Sequence, residues 1–313
     1  MKVLPLLAAF VTGAICSGCI FEYPDPCPTD GSVAVNYNWN SVAADSVPRG
    51  MSVLFYPLDG YDYWRFELPA AGGEVELDEG TFDVLTFNND TRSVMFSGLG
   101  AASTAMAYTA PTTLTSGLNG VYAESAPPPR SDASQPVCAQ PDMMYAATVH
   151  SFSFSAMEME SSITLAPTQF TCCYKVIVEN VTNTASIGML SMSLNGLASY
   201  KHLATGTRSA GPVEIPATLT IADDTTLAGS IVSFGPAANT DNTRLSVNLW
   251  LKDGQKRNYV FDVSQQIIPY ATAMNLTIRV GGIDLPEIEN EGDMGNIQVG
   301  VDNWDTIDIE LTN

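Results

Sequence analysis

The sequence predicts an all-β protein made of two tandem antiparallel β-sandwich domains. Short runs alternate apolar and polar residues, which is typical of strands with one face in a core. Gly, Pro and Asp residues separate these runs and favour turns. No long run has the 3.6-residue period of an amphipathic helix, which argues against parallel βαβ folds and helical bundles. The 313 residues suffice for two domains, and a hydrophobic content of 45% suffices for their cores.

The first eighteen residues have the pattern of an export signal. Lys2 precedes an uncharged apolar run over residues 3–15, and Ser17-Gly18-Cys19 follows. The run is too short to span about 30 Å of hydrocarbon, so residues 1–18 are predicted to be a cleaved signal peptide. Its end resembles a bacterial lipobox, which implies acylation of Cys19, for example with palmitate. Ordinary secretory cleavage near this position is the alternative.

The first sandwich is predicted over residues 32–160, after a linker at residues 19–31. Its first strand places Val33, Val35 and Tyr37 on one face. Further strands are expected at residues 51–56, 63–68, 74–77 and 82–87. Residues 98–140 are rich in Ala, Ser, Thr, Pro and Gly, which predicts a long surface excursion. The domain boundary is placed near residues 158–162.

The second sandwich is predicted over residues 161–313. Strands are expected at residues 173–178, 190–194, 213–221, 230–234, 245–251, 259–263 and 276–280. The clearest hairpin joins 245–251 to 259–263, because Asp253-Gly254 supplies the positive φ of a tight turn. An acidic segment at residues 286–296 separates the last tail from the rest of this domain.

The tail at residues 297–311 carries apolar side chains at odd-numbered positions, with one tryptophan out of phase. These positions are Ile297, Val299, Val301, Ile307, Ile309 and Leu311. Trp304 breaks the alternation, which predicts two strands joined by a turn or one strand with a bulge. The tail is interpreted as the last strand of its own domain or, alternatively, as a strand exchanged with a partner. In the first case, which is favoured, deleting residues 297–313 is expected to prevent folding.

Charge and residue chemistry exclude several function classes. Thirteen basic and 34 acidic residues give a net charge of −21, which disfavours binding to nucleic acids. The two histidines, His150 and His202, are far apart in sequence, and no HExxH, GxSxG or P-loop pattern occurs. The sequence therefore predicts no enzyme activity, no cofactor and no metal site.

Four cysteines remain after processing, namely Cys27, Cys138, Cys172 and Cys173. An oxidising compartment allows disulfides among them, with three full pairings open. A bond between Cys172 and Cys173 is disfavoured, because neighbouring residues of a strand point to opposite faces. Burial of these cysteines as small apolar residues is the other interpretation.

Three clustered aromatic residues form a candidate ligand platform. Tyr61, Tyr63 and Trp64 follow the turn residues Asp59-Gly60, and exposed aromatic rings can stack on sugars. Half-burial within a strand is the commoner fate of such residues, and it is the favoured interpretation here.

Several segments of the mature chain resemble the fimbrillin-associated anchor lipoproteins of Bacteroidetes-type bacteria. They are residues 19–28 (CIFEYPDPCP), 33–38 (VAVNYN), 49–57 (RGMSVLFYP), 80–90 (GTFDVLTFNND), 170–172 (FTC) and 261–264 (FDVS). The similarity is greatest to a branch known as a domain of unknown function.

This resemblance implies two β-sandwiches of the transthyretin-like fimbrillin type. It also implies an outer-membrane lipoprotein at the cell surface or in a fimbrium, with fimbrial subunits as partners. Exposure on the periplasmic face of the membrane is an alternative location. A surface lipoprotein that binds a glycan or another host-surface ligand is the alternative function, and an enzyme has little support.

Overall fold

A computed structural model describes residues 30–60, 62–116, 127–157, 161–288 and 304–309. These residues form an all-β structure, which confirms the predicted fold class. The predicted signal peptide, Cys19 and nearly all of the linker at residues 19–31 lie outside this part of the chain. Within it, none of the helices has the length and apolar character needed to cross a membrane.

The first sandwich packs a three-stranded sheet, in the order β4-β1-β9, against a five-stranded sheet, in the order β10-β8-β5-β2-β3. The strands of this half are β1 (Asp30–Tyr37), β2 (Gly50–Pro57), β3 (Trp64–Pro69), β4 (Gly73–Asp78), β5 (Gly80–Asn88), β6 (Val94–Ser97), β7 (Met106–Thr109), β8 (Tyr145–Phe154), β9 (Ser161–Leu165) and β10 (Thr168–Gln169). Val33 and Val35 of β1 are buried with Phe55 of β2 and Phe82 of β5. The alternation predicted for β1 thus fills the core between the two sheets.

The second sandwich packs the sheet β15-β16-β11-β19 against the sheet β14-β12-β17-β18-β20. Its strands are β11 (Cys172–Glu179), β12 (Ile187–Ala198), β13 (Tyr200–His202), β14 (Pro212–Ala217), β15 (Leu219–Asp223), β16 (Thr226–Ser233), β17 (Arg244–Leu251), β18 (Lys256–Asp262), β19 (Asn275–Gly281) and β20 (Asp305–Ile309). The one described α-helix is α1 (Ser264–Ile267), and short 3₁₀ turns lie at Ala44–Ser46, Thr184–Ser186 and Ile268–Tyr270. The predicted hairpin is present as β17 and β18, with Gly254 at φ +88° in its turn. The predicted strand at residues 213–221 is divided into β14 and β15, which lie in different sheets.

Parallel strand pairs distinguish both sandwiches from purely antiparallel ones. Strand β9 runs parallel to β1, β19 parallel to β11, and β20 parallel to β18. Because β9 and β10 pair with β1 and β8, the first sandwich includes residues 161–169. The sequence analysis placed the end of this domain at residue 160, because a change in composition along the chain does not reveal which strands pair.

The two halves share a small sheet and a core of their own. Strand β13 of the second half pairs with β7, which in turn pairs with β6. Side chains from both halves, among them Phe87, Phe170, Leu203 and Phe234, form one buried cluster beside this sheet. The segment predicted as a surface excursion therefore contributes strand β7 to the contact between the sandwiches.

Candidate functional site

One edge of the second sandwich's five-stranded sheet is covered by the first half of the chain. Val137 forms a parallel bridge with Glu214 of the edge strand β14. The Cys138 N–H donates to the Glu214 carbonyl at 3.0 Å, and the Glu214 N–H donates to the Pro136 carbonyl at 2.9 Å. An uncovered edge strand presents unpaired backbone groups that recruit other strands, so this contact protects β14 from such pairing.

Among the described residues, the opposite edge is formed by the tail strand β20. Its register with β18 pairs Arg257 with Asp305 and Phe261 with Ile309. Ile307 and Ile309 are half-buried and pack against the core, whereas Thr306 and Asp308 are exposed. In this structure residues 305–309 thus complete the chain's own sandwich, and Ile297, Val299 and Val301 lie outside the described residues.

Trp304 packs on the outer face of the same sheet. Its ring meets the ring of Trp250 edge to face, with centroids 4.7 Å apart and planes at 79°. Trp250 has the opposite parity to the core residues Leu249 and Leu251, so it points away from the core. Trp304 is out of phase with Ile307 because it precedes the strand and contacts the other face. The sequence could have indicated this contact, because Trp250 is the one apolar residue at the outward positions of β17, which are otherwise polar.

The outer face beside Trp250 is polar and buried. Asn258 Nδ2 donates to Asn248 Oδ1 at 2.6 Å, and Asn248 Nδ2 lies 3.4 Å from Ser191 Oγ. Lys256 is 5% exposed, and its ammonium has no hydrogen-bond partner in the described part of the chain. Burying an unpaired ammonium is unfavourable, so the described residues alone satisfy this face next to β20 poorly. The sequence analysis did not predict that these polar side chains are buried, because alternation predicts that polar residues on the outward face of a strand are exposed.

The predicted aromatic platform is not assembled in one place. Tyr63 stacks on Tyr56 with centroids 5.3 Å apart, whereas Trp64 meets Phe82 edge to face at 5.8 Å. The two rings pack against different core clusters, Tyr63 just before β3 and Trp64 as its first residue. Tyr61 lies outside the described residues. Trp64 lines a surface pocket of about 310 Å³, whose other side chains include several carboxylates.

A buried lysine lies in the core between the two halves. Lys201 of β13 donates from Nζ to the Phe170 carbonyl at 2.7 Å and lies 4.3 Å from the centroid of the Phe170 ring. Burial lowers the pKa of its ammonium. The contact accounts for a charged residue in the core between the halves.

The remaining candidates show no catalytic or metal-binding arrangement. His150 contacts Asp83 at 3.1 Å and is largely exposed, whereas His202 lies in β13. Cys138, Cys172 and Cys173 form no disulfide with one another, whereas Cys27 lies outside the described residues. Burial raises the pKa of each of these three thiols. No group of three His, Cys, Asp or Glu side chains in the described ranges is placed to hold a metal ion.

Comparison with known families identifies the chain. The family described as "Domain of unknown function (DUF5119)" matches residues 19–217, well over half of the chain. The chain belongs to this family. The predicted family relationship is therefore confirmed, although the family's description assigns no activity.

One sequence relative of this DUF5119 chain carries a fimbrial name. A protein of Bacteroides ovatus named "Putative fimbrium anchoring subunit Fim4B" is 33% identical over 87 residues, which are 27% of this chain and 25% of that protein. The chain thus matches about a quarter of that relative's length.

Two solved structures share the fold. A crystal structure described as "a putative adhesin" from Bacteroides ovatus has a TM-score of 0.63 at 18% identity, covering 90% of this chain and 100% of the other. The fimbrial anchor protein Mfa2 from Porphyromonas gingivalis has a TM-score of 0.51 at 12% identity, covering 80% of this chain and 90% of Mfa2.

Proposed function

We propose that this protein is a non-enzymatic component of a fimbrium, an anchor or accessory subunit held on the outer membrane by a lipid on Cys19. In this proposal it joins other subunits through β-strand contacts at the β20 edge of its second sandwich. The observation that carries the proposal is the difference between the two edges of one sheet. Strand β14 is covered by residues 136–138, whereas β20 is a short parallel strand from the end of the chain.

The geometry of β20 suits a strand that exchanges with one from a partner. It has five residues, and its inward side chains Ile307 and Ile309 are only half-buried. Parallel pairing is slightly less stable per residue than antiparallel pairing, so an incoming antiparallel strand would compete well for β18. Such a strand would gain the backbone hydrogen bonds of β18 and contacts with the core, as in other cases of β-strand addition. The fimbrial names of relatives support this type of partner.

A reversible lock of the tail tests the strand exchange. Val260 of β18 and Asp308 of β20 are register partners, so the double variant Val260→Cys, Asp308→Cys places two thiols on adjacent strands. Under oxidising conditions the locked protein should stay folded but fail to enter fibres, and a reductant should restore assembly. The single variant Asp308→Cys is the matched control and should assemble under both conditions. Equal assembly of the locked and reduced forms would contradict strand exchange.

The membrane anchor is tested separately. Several acyl chains on Cys19 would hold the protein durably, since each buried CH₂ contributes roughly 0.8 kcal/mol. The variant Cys19→Ala should be released from membranes, whereas Cys27→Ala, a cysteine without the preceding Ser-Gly, should remain attached. Mass spectrometry should find acylated glyceryl-cysteine at the mature N-terminus, and an unmodified N-terminus elsewhere would refute the anchor. Labelling of intact cells with an antibody distinguishes the cell surface from the periplasmic face.

A further inference from the structure

A polar cavity of about 360 Å³ lies at the end of the second sandwich's five-stranded sheet where β17 begins. It forms at a bulge in β12, where Gly196 adopts φ +75° and the pairing with β14 shifts register. Gly196 donates its N–H to Gln135 Oε1 at 3.0 Å, which ties residues 131–135 to the bulge. The loop before β17 forms the remaining wall. With Pro212 of β14, four separate segments of the chain thus build the cavity.

Two polar atoms at this cavity lack a hydrogen-bond partner in the described part of the chain. Asn242 Oδ1 and Ser131 Oγ are both buried without a hydrogen bond among the described residues. The neighbouring Asn195 side chain is 3% exposed, and its Oδ1 accepts the Arg244 backbone N–H at 2.6 Å, so its NH₂ group is the part that faces outward as a donor. Buried polar groups are paired in most proteins, so such a cluster indicates a missing bonding partner.

The unpaired groups include both donors and acceptors. The Asn195 amide and the Arg244 guanidinium, which has no side-chain partner in the described ranges, can donate. Asn242 Oδ1 and the Asp241 carboxylate can accept. A metal ion would face the guanidinium and the amide hydrogens, whereas an anion would face Asp241. Hydroxyl groups donate and accept at once, so a polyhydroxylated neutral molecule satisfies both sets.

We propose that this cavity binds a neutral sugar residue, either as a free monosaccharide or at the end of a glycan chain. The volume lies within the range of about 300–1,000 Å³ that is common for small-molecule sites. The net charge of −21 disfavours acidic sugars. The site is separate from the aromatic residues predicted as a platform and from β20. This proposal goes beyond the proposed function, because it concerns a ligand rather than a fimbrial subunit. Sugar binding can be measured on the isolated protein, without fibre assembly.

Isothermal titration calorimetry of the mature protein tests this site. The probes are D-glucose, D-galactose, D-mannose, L-fucose and N-acetyl-D-glucosamine, followed by an oligosaccharide that ends in whichever of these binds. At least one should bind with one-to-one stoichiometry. The variants Arg244→Ala, Asn195→Asp and Asp241→Asn should each weaken binding by about tenfold or more. Arg92→Ala, which removes an exposed arginine in the first sandwich, is the charge-matched control for Arg244→Ala and should leave binding unchanged.

Asp241→Asn alters an exposed side chain, so it keeps the test decisive if Asn195→Asp impairs folding. Tighter binding of the oligosaccharide than of the free sugar would identify a glycan end as the ligand. Tighter binding of the free sugar would identify a monosaccharide. The proposal is overturned if no probe binds, or if the cavity variants bind as well as the parent. A calcium-dependent rise in melting temperature that Asp241→Asn abolishes, without sugar binding, would assign the cavity to a cation instead.

Discussion

Removing residues 304–313 is expected to leave a folded protein of reduced stability. The deletion removes β20 and the Trp304 ring that packs on Trp250. Full burial of a large apolar side chain contributes roughly 1.5–3 kcal/mol. Ile307, Ile309 and Trp304 are each only partly buried, so together they contribute about 3 kcal/mol.

The net loss is smaller than this sum, because the tail regains conformational entropy when it is no longer ordered on β18. A domain has a total stability of about 5–15 kcal/mol, so the truncated protein should remain folded. This magnitude differs from the expectation that deleting the longer segment 297–313 prevents folding. That expectation assumed full burial of the tail's apolar residues, whereas the described ones are half-buried.

Urea unfolding followed by circular dichroism measures the effect of the truncation. The midpoint should fall while the transition stays cooperative, and tryptophan emission should shift to the red as Trp250 gains solvent contact. Thr306→Ala changes an exposed residue of the same strand and should match the full-length protein. An insoluble or non-cooperative truncated protein would refute the reasoning and make β20 an integral part of the fold.

Further predictions concern a buried carboxyl, the β12 bulge and metal dependence. Burial raises the pKa of the Glu214 carboxyl group, so the native state favours its protonated form. The carboxyl group therefore contributes stability to the fold below its unfolded pKa, and this contribution is lost as pH rises through the folded pKa. Glu214→Gln should therefore raise the melting temperature at pH 7 much more than at pH 4, and equal shifts at both values would contradict this. Gly196→Ala should lower the free energy of unfolding by about 1–3 kcal/mol in urea titrations, because a side chain at φ +75° is strained. The added Cβ would also lie 2.5 Å from a backbone carbonyl oxygen of the adjacent loop. An unchanged unfolding midpoint would refute this prediction. Chelator treatment should leave the melting temperature within about 1 °C, and a larger fall that calcium reverses would reveal a structural ion.

Local patterns were sufficient to predict most of the long strands, because alternation and turn chemistry depend on neighbouring residues. The short strands β6, β7, β9 and β13 were not predicted, since a few residues carry too little alternation. The hairpin of β17 and β18 is the clearest case, since Asp253-Gly254 and the odd-numbered apolar residues specify both its turn and its inner face. The same reasoning could not divide residues 213–221 into strands of two sheets. Sheet membership depends on long-range pairing, which leaves no periodic signal in a single strand.

The candidate site depended even more on tertiary structure. The sequence by itself determined that the chain is β-rich and that its tail has strand character interrupted at Trp304, and it predicts an export signal at residues 1–18. Only the tertiary structure decided that β20 runs parallel to β18, that residues 136–138 cover β14, and that Tyr63 and Trp64 diverge. It also brought Ser131, Asn195 and Asn242 around one cavity. These contacts join residues distant in sequence, and their energies arise from packing and backbone pairing that no local composition specifies.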